Sequence, residues 1–388
     1  MNPVIRFLSI RVFVSDRQQR SMIAALLLVL LAGNIAAQEK TQSFDEAAAG
    51  AAAARANNDM PRAIELYTEA VRLNAQWAEG WWFLGLMHFQ SEDYTDAREE
   101  FTHFLALKTD RTKLNAQATA LRGLSEFEMA DYAHALPDLG QGIAMGAAED
   151  AASGSFLQTR EAEALTRLGH FDEALGIYTA LAGKGEASPE LKAGVGLAGL
   201  RVAQLPSDLL PSRQELYSAA GDATLRFIKG DQEGARTAFE SFFERYPTTP
   251  NAHYLYGMLL LVADQDQTVT QCKLELEVAP DNVPVMSFLA WVLLLEGHPA
   301  QALPYAQKAA AAAPTFANAQ MVLGRSLAET GDLSGGIAHL ETALQLQPND
   351  VESHVALAAA YSNAGRKADA QRERQQSLEM AKGLFAKQ

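Results

Sequence analysis

The sequence predicts an all-α protein built from stacked helical hairpins, and three features of the chain support this prediction. Of the 388 residues, 70 are alanine, a fraction of about 18% that is far above ordinary usage. Alanine is the best helix former, and the alternation of β-branched and polar residues that is typical of strands is missing. Segments of similar pattern also recur about every 34 residues, which indicates a repeat architecture.

The composition excludes several classes of protein. Because 48% of the residues are hydrophobic, the chain can bury a core and is not a disordered polyelectrolyte. A net charge of −15 and an isoelectric point near 5.0 disfavour a nucleic-acid partner, which requires clustered lysine and arginine. The single cysteine, Cys272, allows neither an internal disulfide nor a multi-cysteine zinc site.

Residues 1–37 have the pattern of a secretory signal peptide. Four arginines and one aspartate precede the apolar run Met22–Gly33, and small residues follow up to Ala37, where we expect cleavage. The run is shorter than the roughly 20 apolar residues of a membrane-spanning helix. We therefore expect an exported protein, periplasmic or secreted, with no integral span after cleavage and a net charge of −18. An uncleaved N-terminal membrane anchor is the alternative, because the basic region is unusually long.

The clearest repeat unit is the segment Ala317–Asp350. Its pattern places Leu323 and Gly324 in a first helix, Gly331 at a turn, and Ala343 in a second helix that ends before a proline. Glycine after the first helix is typical of a left-handed C-terminal cap. The same pattern recurs in segments that start at Ala78, Ser155, Leu216, Val283 and Val351.

This spacing resembles the tetratricopeptide repeat, in which Trp, Leu-Gly and Tyr mark the first helix and Ala, Phe, Ala and Pro the second. The resemblance covers residues 44–380 and implies a right-handed α-solenoid of about eight to nine hairpins. The sequence also resembles a group of exported bacterial tetratricopeptide proteins of uncharacterised function. We expect N-terminal repeats at 38–187, an irregular helix and proline-containing linker at 188–215, and C-terminal repeats with a polar terminal helix at 216–388.

Motifs that carry chemistry are sparse in this chain. The segment Gly194–Gly199 matches the dinucleotide fingerprint G-x-G-x-x-G, but no strand precedes it, so we interpret its glycines as close helix contacts. The eight histidines are dispersed without metal-ligand spacing, and Cys272 lies on the apolar side of a helix. We therefore predict no enzyme, no cofactor and no metal.

The resemblance implies which residues face the concave groove, because the second, fifth, ninth and twelfth positions of each first helix lie there. Trp81 and Trp82 point about 100° apart on one helix, so Trp81 is expected in the core and Trp82 in the groove or in a neighbouring seam. Glu79, Trp82 and Leu86 replace the residues of a carboxylate clamp, so clamp-type binding is not expected. The predicted groove residues are Glu79, Trp82, Leu86, Phe89, Phe227, Tyr254, Met258, Trp291, Asn318, Met321 and Arg325.

A groove lined with aromatic residues and methionine is typical of a surface that anchors peptides. The sequence therefore favours a non-enzymatic scaffold or adaptor that binds an unidentified protein or peptide. Two alternatives stay open: an accessory factor for cell-envelope assembly or polysaccharide export, and an enzyme with a site near residues 185–215. It is also possible that the groove residues only fill contacts between neighbouring hairpins.

Overall fold

The computed structural model describes residues 43–185 and 187–385. This part of the chain forms nineteen α-helices and one short 3-10 helix, with no strand, which confirms the all-α prediction. None of the helices in these residues is both long and apolar enough to cross a bilayer. The predicted signal peptide, residues 1–37, lies outside the described residues.

The chain divides into two compact units between Asp110 and Arg111. In its described part, the first unit contains two helical hairpins, in which α1 packs on α2 and α3 on α4. Their bounds are Phe44–Ala56 for α1, Met60–Leu73 for α2, Ala78–Gln90 for α3 and Tyr94–Ala106 for α4.

The second unit continues the same alternation through its described residues. Its helices are α5 (Thr112–Glu128), α6 (Tyr132–Ala144), α7 (Ala151–Leu168), α8 (Phe171–Ala182), α9 (Pro189–Gly199), α10 (Pro211–Ile228), α11 (Gln232–Arg245), α12 (Ala252–Leu260), α13 (Gln265–Val278), α14 (Val283–Leu295), α15 (Pro299–Ala312), α16 (Ala317–Glu329), α17 (Leu333–Leu346), α18 (Val351–Asn363) and α19 (Lys367–Phe385). Each of them packs on a sequence neighbour, and α9 packs on α10.

The turns inside the hairpins have the left-handed backbone that the repeat pattern predicts. Five glycines that follow a first helix have φ between +74° and +107°, where an L side chain is strained. The hairpins α3–α4 and α5–α6 place Glu92 and Ala130 in the same conformation. These glycines are Gly169, Gly230, Gly297, Gly331 and Gly365.

Alanines fill the crossings between the paired helices. Ala97, Ala174, Ala235 and Ala302 each occupy the fourth position of a second helix, Ala343 lies two turns further along α17, and all five are 0% exposed. A small side chain there lets two helix backbones approach, while the larger apolar residues on either side fill the core. The high alanine content therefore has a structural cause at these positions.

The predicted irregular segment at 188–215 lies within the second unit. Helix α9 packs tightly on α10, and a Cβ atom built on Gly196 would lie 1.9 Å from the carbonyl oxygen of Tyr217. A Cβ on Gly194 would lie 2.7 Å from the ring of Tyr178, and one on Gly199 would lie 2.8 Å from Leu255. All three glycines of the fingerprint are thus required for close helix packing, which confirms that interpretation.

Candidate functional site

Four of the predicted groove residues line one cavity in the second unit. Tyr254 on α12, Trp291 on α14, and Asn318 and Met321 on α16 all contribute to a volume of about 480 Å³. These three helices are the first helices of successive hairpins. The repeat stacks them side by side, so positions that are far apart in sequence meet on one surface.

Aromatic rings form one wall of this cavity. The ring of Phe288 lies 5.4 Å from that of Tyr254, edge to face, and 5.9 Å from the stacked ring of Trp291. Phe316, in the turn before α16, also lines the cavity. The rings of Phe288, Trp291 and Phe316 are partly buried and pack on a hydrophobic core cluster. Tyr254 is one of the buried residues of that cluster. The wall is therefore held rigidly from behind.

Tyr254 is positioned by a buried carboxylate. Glu275, 0% exposed on α13, accepts hydrogen bonds from the backbone N–H groups of Asn251 at 2.6 Å, His253 at 3.2 Å and Tyr254 at 3.4 Å. These donors are free at the N-terminus of α12, where a negative group is also favoured by the helix dipole. Glu275 therefore fixes the start of the helix that carries Tyr254.

Two effects shift the pKa of Glu275 in opposite directions. Burial raises the pKa of Glu275 above its ordinary value, and the three backbone donors act to lower it. Burial also raises the pKa of Tyr254, so its hydroxyl keeps its proton at neutral pH. Tyr254 therefore presents a neutral ring and hydroxyl to the cavity.

Arg201 and Asp172 form one rim of the cavity. Arg201 follows α9 directly with a left-handed φ of +57°, and its Nη2 donates to Asp172 Oδ1 at 2.8 Å. The guanidinium carbon of Arg201 also lies 5.2 Å from the ring centre of Tyr254, within the range of a cation–π contact. The buried Nε of Arg201 has no hydrogen-bond partner. The guanidinium group of Arg201 therefore has a hydrogen-bond donor that is not paired within the described residues.

Asp350 and Glu352 form the opposite rim, at the start of α18. Asp350 caps this helix by accepting from the backbone N–H of Ser353 at 2.8 Å. Glu352 accepts a hydrogen bond from Trp291 Nε1 and lies 3.7 Å from Arg325. Glu352 thereby orients the indole ring of Trp291, and 38% of its side chain stays exposed.

Ser287 contributes a second unsatisfied polar group to the lining. The residue is 4% exposed on α14, and its Oγ has no hydrogen-bond partner among the described residues. A buried hydroxyl without a partner is costly, and such groups are rare in folded proteins. Ser287 and Arg201 thus each bring a buried polar atom without a partner to the lining of this cavity.

The other predicted groove residues do not line this cavity. Phe227 is half-buried against the core of α9 to α12, and Met258 packs on that core and on the next. Arg325 lies beside the cavity, where its Nε donates to Glu329 at 2.7 Å. Glu79, Leu86 and Phe89 lie in the first unit, where Glu79 is exposed and the other two are half-buried.

The tryptophan pair of the first unit has a more internal role than expected. Trp81 packs on the core, and its ring stacks 4.4 Å from His103. The ring of Trp82 lies 5.9 Å from Phe101 and 5.6 Å from Phe104, both 0% exposed. Trp82 therefore packs between α3 and α4, and its removal will cost stability as well as groove surface.

Sequence reasoning missed the residues that surround the four groove positions. Arg201 and Asp172 fall outside the groove positions of the repeat, and Glu275 lies on a second helix. Ser287 and Glu352 are the fifth and second positions of the units that start at Val283 and Val351, so the repeat register could have assigned them to the groove. For Glu275 the available signal was its place on the apolar face of α13, next to Cys272 in the helix register. The described residues contain no cluster of three metal-ligating side chains. Cys272 is 0% exposed and its pKa is raised by burial to about 12, so it is inert core packing as expected.

Comparisons with known proteins place this geometry in a family. The tetratricopeptide repeat model matches residues 49–111 and 289–351, and a second model of that repeat matches 339–372. Over these residues the chain therefore matches the tetratricopeptide repeat, which confirms the resemblance that the repeat spacing indicates.

Solved structures of similar fold are also tetratricopeptide proteins. One is residues 41 to the end of MamA from Desulfovibrio magneticus RS-1, at 21% identity over 44% of this chain and 96% of MamA, with a TM-score of 0.39. Another is YrrB, described as a tetratricopeptide protein with an unusual peptide-binding site, at 18% identity over 42% of this chain and 84% of YrrB, with a TM-score of 0.36. No curated protein matches the chain.

Proposed function

We propose that this protein is a non-enzymatic scaffold or adaptor that binds a peptide segment of a partner protein in the cavity between Tyr254 and Asn318. One observation carries the proposal: groove positions from three successive first helices, assigned by the repeat register, meet at a single cavity of about 480 Å³. Rigid aromatic walls with a few polar groups are typical of sites that anchor peptides.

We also propose that the protein acts in the cell envelope. The pattern of residues 1–37 supports export, and an accessory role in envelope assembly or polysaccharide export is the alternative to a general adaptor. N-terminal sequencing of the protein from fractionated cells would test this part. A mature chain that begins at Gln38 in the envelope fraction is expected, and an intact N-terminus in the cytoplasm would contradict export.

Within the segment 185–215, the buried residues 193–200 leave no room for an enzyme site. Residues 193–200 are all buried, and the glycines among them contact neighbouring helices closely. A side chain or substrate would find little space at these positions. The open cavity around Trp291 is a better place for a ligand.

Site-specific photocrosslinking tests the proposed binding cavity. A benzophenone amino acid at Asn318, which is exposed at the cavity, should form adducts with a discrete partner in cells that express the protein at its natural level. The same group at Gln307, which is exposed on the second helix α15, serves as the matched control.

A second experiment places the benzophenone group at Gln347, an exposed residue that also lines the cavity, and adds Asn318→Arg; adducts at Gln347 should fall while those at Gln307 stay unchanged. Asn318→Arg adds a long side chain at an exposed position, so thermal unfolding should stay unchanged while partner binding falls. Equal adduct yields at Asn318 and Gln307 would contradict a role for this cavity.

A further inference from the structure

The cavity has two buried hydrogen-bond donors that lack partners. Ser287 Oγ and Arg201 Nε both line it, and neither has a hydrogen-bond partner among the described residues. An arginine Nε–H can only donate, and a serine hydroxyl donates readily. The ligand must therefore present a hydrogen-bond acceptor near these two groups.

The charge of the lining shows what kind of acceptor fits. Asp172, Asp350 and Glu352 bring three carboxylates to the cavity, whereas Arg201 is the one cationic side chain among its described lining residues. Arg201 is already paired with Asp172 at 2.8 Å. Beside the cavity, Arg325 lies 3.7 Å from Glu352 but is also paired with Glu329 at 2.7 Å. An anionic ligand would still meet Asp350 and Glu352, so the acceptor is a neutral group such as a peptide carbonyl.

The aromatic wall offers free surfaces for a cation. Arg201 lies over the ring of Tyr254, but no guanidinium or ammonium group of the described residues lies over Phe288, Trp291 or Phe316. The face of a tryptophan ring is the strongest cation–π acceptor among the side chains. Glu352 accepts from Trp291 and has 38% of its side chain exposed, so a carboxylate lies beside this ring.

We propose that the cavity recognises a lysine or arginine side chain of the bound segment, with Glu352 as counter-charge and Trp291 as aromatic wall. This inference rests on the proposed peptide-binding function. A backbone carbonyl of the same segment accepts from Ser287 Oγ or Arg201 Nε. The partner is therefore a basic peptide segment, which also suits a chain of net charge −15.

Matched synthetic peptides test this specificity. Fluorescein-labelled alanine–glycine host peptides that differ only in a central arginine, lysine, glutamine or glutamate are titrated with the full-length protein, and binding is measured by fluorescence anisotropy. The arginine and lysine peptides should bind about tenfold more tightly than the glutamine peptide, the combined effect of a cation–π contact and an ion pair. The glutamate peptide should bind most weakly.

Three variants separate the charge from the hydrogen bond. Glu352→Gln should remove the ion-pair part of the preference for the arginine peptide and leave the smaller part that the cation–π contact with Trp291 supplies. Glu352→Lys should reverse the preference towards glutamate. Ser287→Ala should weaken binding of the arginine peptide and of the glutamine peptide by the same factor, because it removes a contact to the peptide backbone. Glu240→Gln removes the same charge on α11, outside the cavity lining, and should change nothing.

The outcomes distinguish this inference from the proposed function. If the glutamine peptide binds as tightly as the arginine peptide and Glu352→Gln has no effect, the preference for a basic residue is wrong while peptide binding in the cavity stands. If no peptide binds although Asn318 forms specific adducts in cells, recognition of a single basic residue is likewise overturned. Circular dichroism and thermal unfolding of each variant must match the parent protein for either comparison.

Discussion

The crossing of α9 with α10 and the hairpin of α16 with α17 use glycine in the same way, but at different distances. In α16–α17, a Cβ on Gly324 would lie 2.7 Å from the carbonyl oxygen of Gly336, and a Cβ on Gly336 would lie 2.7 Å from that of Gly324. In α9–α10, a Cβ on Gly196 or on Gly221 would lie only 1.9 Å from a carbonyl oxygen of the facing helix.

The difference shows that the closest helix contact of the described residues lies outside the repeat motif. Gly324 occupies the Leu-Gly position that marks a tetratricopeptide repeat, whereas Gly196 lies in a segment whose spacing breaks the repeat. At both places the backbones touch without intervening side chains. Backbone atoms cannot rotate away as a side chain can. The predicted loss of stability on adding a methyl group therefore increases as the distance from the new Cβ to the facing carbonyl oxygen decreases.

The largest effect is expected for Gly196→Ala. Its methyl group would overlap the backbone carbonyl of Tyr217, so α9 and α10 must move apart and lose their contact. We expect the free energy of unfolding to fall by about 3 kcal/mol or more, after a gain of about 1 kcal/mol from helix propensity. Urea denaturation followed by circular dichroism measures this loss.

Gly221→Ala is the matched control for this crossing from the opposite helix. It meets the carbonyl oxygen of Lys192 at the same distance, so it should cost a similar amount. Because both changes break one contact, the double variant should lose less than the sum of the two. Strictly additive losses would show that the two glycines do not share a crossing.

An intermediate effect is expected for Gly324→Ala. The methyl group would lie 2.7 Å from Gly336 O and from Leu340 Cγ, so the hairpin must open slightly. We expect a loss of about 1–2 kcal/mol by the same measurement, and a larger loss for Gly324→Val, which adds further bulk. A variant as stable as the parent would contradict the close crossing of α16 and α17.

The smallest effect, with the opposite sign, is expected for Gly176→Ala. This glycine lies within α8, and no atom of a neighbouring element lies within 4 Å of its Cβ position. Alanine there should stabilise the protein by up to about 1 kcal/mol, because it removes backbone freedom of the unfolded chain. Destabilisation comparable to that of Gly324→Ala would show that helix contacts do not explain the series.

The hairpins were predictable from sequence because their determinants are local. Gly331 and Ala343 recur at fixed offsets, and both have the conformation or burial that the repeat requires. The candidate site was predictable only in part. Tyr254, Trp291, Asn318 and Met321 were assigned through the family register, and the structure brings these four together at one cavity.

Two residues of the site could not be read from the repeat. Asp172 lies on a second helix, 180 positions before Glu352, and lines the same cavity, and Arg201 reaches it only because α9 is inserted against α10. Trp82 illustrates the reverse case, since its register assigned it to the groove and its ring packs on buried phenylalanines. The direction of a side chain depends on its neighbours in space.

The sequence by itself determined the helices, the turns and the family, because helix propensity, glycine caps and the repeat period act over a few residues or one hairpin. Only the tertiary structure decided which atoms the fingerprint glycines meet, that Glu275 fixes the start of α12, and that Ser287 and Arg201 leave donors open at one cavity. These features depend on contacts between residues far apart in the chain. Stacking of helices in three dimensions creates those contacts, and no local pattern encodes them.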